Sequence, residues 1–78
     1  MATLEEIADI LNGTLQDDTE YRGGYSITDS VATFDISGFN NDGFAEELTS
    51  GLNESDDGES FTFIINEEGK ELISIIKK

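Results

Sequence analysis

Five adjacent carboxylate pairs are the residues that could do chemistry: Glu5/Glu6, Asp17/Asp18, Glu46/Glu47, Asp56/Asp57 and Glu67/Glu68. Two carboxyls can divide the acid and base roles of a hydrolysis, provided both point into one site. Neighbours on a helix or strand point in different directions. With 18 acids among 78 residues, doublets also arise from composition alone. The pairs are therefore read as solvated acids, not as catalytic dyads. The chain has no His and no Cys. Imidazole bases, thiolate chemistry, disulfides and Zn sites are all excluded. The chain reads as a non-enzyme with no catalytic residue, no metal and no cofactor.

One run looks more like a ligand set. Asn53-Glu54-Ser55-Asp56-Asp57-Gly58 has oxygen donors and a glycine at the sixth place, as a calcium loop does. The pattern then fails. The first ligand is Asn, and Ile64 stands at the twelfth place, where a bidentate Glu belongs. The run reads as an acidic loop that concentrates cations weakly. Gly23-Gly24 and Gly38…Gly43 lack the sequence context of a phosphate cradle. They read as turns and caps.

The charge is the strongest signal. The net charge is −14. Residues 1–69 hold 17 of the acids and a single base, Arg22, while Lys70, Lys77 and Lys78 stand in the last nine residues. Such a chain repels nucleic acid and anionic membranes and attracts basic surfaces. A compact domain of this length has an expected radius of gyration of about 11–12 Å, or roughly 30 Å across. Its charge then falls at about one per 2 Å, close to the one per ~1.7 Å of duplex DNA. No apolar run approaches the ~18 residues of a membrane span, and the start of the chain lacks the basic region of a secretory signal. A cytoplasmic location is expected.

These residues must be positioned by a small fold. Apolar residues make up 36% of the chain, nine of them Ile and five Phe, in periodic blocks, which argues for one folded domain over residues 1–78. Thr3 and Glu6 form a capping-box pattern. Leu4, Ile7, Ala8 and Leu11 follow at helical spacing, with Gly13 as the stop. The first helix is expected over residues 4–12. Tyr21, Gly23, Tyr25 and Ile27 alternate as a first strand, which makes both tyrosines half-buried strand residues. Thr28-Asp29-Ser30 is a turn, and residues 31–37 form a second strand with Ala32, Phe34 and Ile36 inward. Asn40 is the expected N-cap of a second helix, with Phe39 and Phe44 at hydrophobic-staple spacing. That helix would bury Phe44, Ala45, Leu48 and Leu52. In the C-terminal hairpin, a three-residue connection with Gly69 left-handed would pair Asn66 with Lys70. Phe63 would then face Ile73, and Phe61 would face Ile75, with Ile65 on the same face.

The expected fold is thus α+β, in the order α-β-β-α-β-β, with two helices on one face of an antiparallel sheet. The halves echo each other weakly: Glu5-Glu6-Ile7…Leu11-Asn12 matches Glu46-Glu47-Leu48…Leu52-Asn53. Ile64, Leu72 and Ile76 make the outer face of the hairpin more apolar than solvent requires. A monomer is the expected state, since the charge opposes association; a homodimer through these three residues is the alternative.

The densest acidic segment is Glu54-Ser55-Asp56-Asp57-Gly58-Glu59. In size, charge, lack of cysteine and α+β build, the chain resembles the small phage-encoded inhibitors that mimic DNA, especially anti-CRISPR proteins. The resemblance covers the whole chain in style and includes no diagnostic motif. It implies inhibition of a CRISPR–Cas effector by occupation of its basic nucleic-acid site. The residues expected to contact such a partner are Asp42, Glu46, Glu47, Glu54, Asp56, Asp57 and Glu59. An effector channel must be basic to hold DNA, and a folded acidic protein can compete for it. Two other classes stay open: an immunity or antitoxin-type inhibitor of a basic nuclease, and a small self-associating phage or bacterial assembly protein. The bland reading is an ordinary solvated acidic surface.

Overall fold

A computed structural model describes residues 2–78. The elements in chain order are α1 (Leu4–Asp18), β1 (Ser26–Thr28), β2 (Val31–Asp35), α2 (Phe44–Glu54), a 3-10 turn (Asp56–Glu59), β3 (Phe61–Ile65) and β4 (Leu72–Lys77). The order is α-β-β-α-β-β, as the periodicities predict. The sheet is wholly antiparallel with strand order β1-β2-β4-β3. The radius of gyration is 11.4 Å and the longest extent 32 Å, matching the size expected from length.

Helix α1 begins as predicted. The Thr3 hydroxyl accepts the Glu6 N–H at 3.2 Å, and the Glu6 carboxylate accepts the Thr3 N–H at 3.1 Å. It does not stop at Gly13 but runs to Asp18. A helical glycine costs only about 1 kcal/mol, and running on buries Leu15, which is 1% exposed. Fully burying a leucine returns about 1.5–3 kcal/mol. The helix ends at Thr19, whose N–H donates to the Leu15 carbonyl at 2.9 Å.

The first strand is shorter than predicted. Gly24 takes a left-handed φ of +69°, and the Tyr21 hydroxyl donates to its carbonyl. The chain curls around the tyrosine ring and only Ser26–Thr28 pairs with β2. Neither tyrosine is therefore a strand residue. Tyr21 is buried and Tyr25 half-buried. The predicted turn follows, with Asp29 and Ser30 both left-handed.

Helix α2 starts three residues later than an Asn40 cap implies. Gly43, left-handed at φ +76°, occupies the cap position and supplies no side chain. Asn40 caps from a distance: its Oδ1 accepts the Ala45 N–H at 2.8 Å, while its Nδ2 donates to the Lys70 carbonyl at 3.1 Å. Phe39 and Phe44 both pack against the core but do not hold staple positions. Leu48 and Leu52 are partly buried, and Thr49 is buried with its hydroxyl on the Ala45 carbonyl.

The hairpin register also differs from prediction. Phe63 pairs with Ile75, Ile65 with Ile73, and Phe61 with Lys77. Asn66 lengthens the connection. Its Oδ1 accepts the N–H groups of both Glu71 and Leu72, and its own N–H donates to the Leu72 carbonyl. Gly69 is left-handed as predicted, but so is Lys70. A slip of two residues keeps every side chain on its face, so the core face survives the correction.

That face carries Ala32, Phe34, Phe61, Phe63, Ile73 and Ile75, all buried under the two helices. Truncating Phe63 to alanine would cost about 3–5 kcal/mol. Strand alternation puts Val31, Thr33, Asp35, Thr62, Ile64, Leu72, Ser74 and Ile76 on the opposite face. Ile64, Leu72 and Ile76 remain 45%, 39% and 37% exposed.

Candidate acidic interface

Five acids lie on α1, three on α2 and three on the 3-10 turn. These eleven share the helical elements with no Lys or Arg. The open sheet face, by contrast, carries one acid, Asp35, among its strand residues. Charge is thus segregated: a carboxylate-rich helical layer backs onto a nearly neutral sheet face.

The seven residues singled out from sequence fall along α2 in two groups. Asp42, Glu46 and Glu47 stand at its start; Glu54, Asp56, Asp57 and Glu59 stand at and just past its end. Eleven residues of helix separate the groups by about 16 Å. Asp42, Glu47, Glu54, Asp56 and Glu59 are exposed, and Asp57 is half-buried. Glu46 is also half-buried, and its Oε1 accepts from the Asn40 amide at 2.8 Å. It braces the helix start and is not a free contact residue.

The acidic segment is not a loop. Asp56–Glu59 is a 3-10 turn packed so closely that a Cβ on buried Gly58 would lie 2.0 Å from the Asn53 carbonyl oxygen. The glycine that resembles a calcium-loop position is explained by this contact. Asn53, the supposed first ligand, spends both ends of its amide on the Phe63 backbone. Among the described residues no cluster of three or more acid side chains is placed to hold a metal ion, and no helix is long and apolar enough to cross a membrane.

A second group of acids meets an aromatic pair at the C-terminal end of α1. Tyr21 and Phe39 pack edge to face, with centroids 5.7 Å apart at 78°. A hollow of about 340 Å³ beside Phe39 is lined by Asp18 and Glu20. A hollow of about 390 Å³ beside Tyr21 is lined by Asp35, Thr33 and Ser26. The Ser37 hydroxyl and then its backbone N–H, both donating to Asp35, hold that carboxyl below the usual carboxylate range. Burial, and then the Asp35 charge, push the Tyr21 phenol up. The hydrogen bond to Asp9, followed by burial, does the same for Tyr25. Sequence reasoning missed this end because it placed both tyrosines inside a strand, although Gly23-Gly24 already marks a bulge or a weakened stretch there.

No protein-family model, curated protein or solved structure matches the chain.

Proposed function

We propose that this protein is an inhibitor that presents its acidic helical layer to the basic nucleic-acid-binding site of a partner, of the kind a CRISPR–Cas effector carries. It would act in the cytoplasm of the host cell and bind no nucleic acid itself. The observation that carries the reading is the segregation of eleven acids, without a base, onto the helical elements. A negative layer facing a basic channel associates quickly through long-range attraction and displaces DNA by occupying its phosphate contacts.

The placement of some acids supports a role beyond solubility. Asp17 and Asp18 end α1, and Glu54 ends α2, each with no base in the last turn. The negative end of a helix dipole disfavours acids there by about 0.3–1 kcal/mol each. Local rules broken at a stability cost are expected at functional surfaces.

The test is binding to guide-loaded CRISPR–Cas effectors in competition with their target DNA. Binding should weaken steeply from about 20 to 500 mM NaCl. The double reversal Asp56→Lys/Asp57→Lys should slow association and weaken inhibition, because it reverses charge within the acidic layer. Glu67→Lys/Glu68→Lys, at the hairpin tip, is the control of equal charge and should cost little. Equal losses would mean that only overall charge matters. No loss from either would remove the acidic layer as the contact surface.

A further inference from the structure

Strand β1 covers only part of β2. It pairs with Val31, Ala32 and Thr33 and leaves Phe34 and Asp35 without a strand on that side, while β4 pairs with both on the other. The chain turns away there because Gly24 is left-handed and its carbonyl is held by the Tyr21 hydroxyl. The result is a notch in the sheet edge of about 390 Å³, at the low end of the ~300–1,000 Å³ typical of small-ligand pockets.

The lining combines aromatic carbon, hydroxyls that can accept or donate, and a single carboxylate. Tyr21 is 2% exposed and forms the closed floor, its ring so close to Gly23 that a Cβ there would sit 3.0 Å from it. Tyr25 contributes a second ring, braced against Phe34 at a centroid distance of 5.3 Å. Ser26 and Thr33 add hydroxyls, and Asp35 supplies the one charge. The Asp35 Oδ1 is occupied by both Ser37 donors, which fixes the carboxylate in place and leaves Oδ2 for an incoming donor.

We propose that this notch receives the guanidinium of an arginine side chain from the partner. The inference rests on the reading of the chain as a binder of basic surfaces and names one anchor within that contact. A guanidinium is a planar fork of donors that matches a carboxylate, and its face packs on aromatic rings. A lysine ammonium would meet the charge but lacks the planar fork that fits a carboxylate and stacks flat on a ring. An anion would meet Asp35 in a strongly negative field. The same combination recurs next door, where Phe39 stands with Asp18 and Glu20 on the far side of the Tyr21–Phe39 pair. Arginine and tyrosine in closed pockets dominate many interfaces energetically, whereas rim acids mainly set the on-rate.

The experiment is an NMR titration of the whole chain with N-acetyl-arginine amide, then with N-acetyl-lysine amide. The amides of Gly23, Gly24, Ser26, Thr33 and Asp35 should shift together and saturate, with the arginine probe the tighter of the two. Asp35→Asn should weaken arginine binding about tenfold, the worth of one charge-assisted pair. It should keep the fold, because an asparagine Oδ1 accepts the same Ser37 donors. Glu67→Gln makes the same charge change elsewhere and should leave the binding intact. Shifts spread over the helical layer and equally sensitive to both variants would overturn the notch. So would a titration with no localised shift. Either result leaves the acidic-layer reading standing if Asp56→Lys/Asp57→Lys still weakens partner binding. Localised, Asp35-dependent shifts with no effect of that reversal would support the notch and remove the acidic layer.

Discussion

The side chain of Asn53 reads the backbone of Phe63 as a neighbouring strand would. Its Oδ1 accepts the Phe63 N–H, and its Nδ2 donates to the Phe63 carbonyl, both at 2.8 Å. β3 is an edge strand, and exposed edges are templates for pairing with other chains. The last turn of α2 thus closes the middle of the edge that the sheet leaves open. The same contact fixes the acidic turn, since Gly58 packs on the Asn53 carbonyl.

Replacing Asn53 with alanine should therefore do two things. Losing two partly buried hydrogen bonds should cost about 1–3 kcal/mol in urea unfolding. The freed edge should also make the protein self-associate at high concentration, seen by light scattering. Asn53→Asp should be no better, because a carboxylate still accepts the Phe63 N–H but repels its carbonyl. Unchanged stability in the alanine variant would mean that water replaces the amide at no cost.

Much of the fold was legible because it rests on short-range rules. The Thr3/Glu6 capping box, the inward alternation of Ala32 and Phe34, and the Asp29-Ser30 turn each depend on neighbours in sequence. What was not legible depends on distant partners. Gly13 reads as a helix stop until the burial of Leu15 is weighed against it. Tyr21 reads as a strand residue until Gly24 turns left-handed to meet its hydroxyl. The hairpin pairs two residues away from expectation because the Asn66 side chain takes the Glu71 and Leu72 amides. The acidic set was legible as composition, but its segregation from the sheet face was not. The roles of Glu46 and Asn53 as braces also required the fold, since Asn40 and Phe63 lie 6 and 10 residues away.

The tyrosines should make stability sensitive to alkali. The hydrogen bond to Asp9 raises Tyr25, and burial raises Tyr21. A group whose folded pKa lies above its unfolded value contributes stability that is complete below the unfolded pKa. That contribution is lost as pH rises through the folded pKa. The unfolded value is about 10, so this share of stability should be level from neutral pH to about 10 and fall above it. Tyrosinate absorbance should show both groups ionising above the free-tyrosine midpoint. Tyr25→Phe should make the alkaline loss shallower. Ionisation of both groups at the free value would show that neither contact persists in solution.

The acidic layer should make the protein more stable in salt. Its eleven acids have no base on the same elements, and the single arginine turns its guanidinium to the Thr19 and Tyr21 carbonyls. Ions screen charges separated by more than about 8–10 Å at physiological strength, so repulsion across the layer should fade first. Thermal melts from about 20 to 500 mM NaCl should show a rising midpoint. Asp17 and Asp18 supply the sharper version, because they stand against the negative end of α1. Asp17→Asn/Asp18→Asn should stabilise the protein at low salt by about 0.3–1 kcal/mol per residue. That advantage should shrink as salt rises, because the same ions that screen the layer also screen the dipole. A midpoint indifferent to salt, with no gain from the double variant, would mean that the acids are already compensated in the folded chain. The negative layer would then be too weak a field to draw in a basic partner.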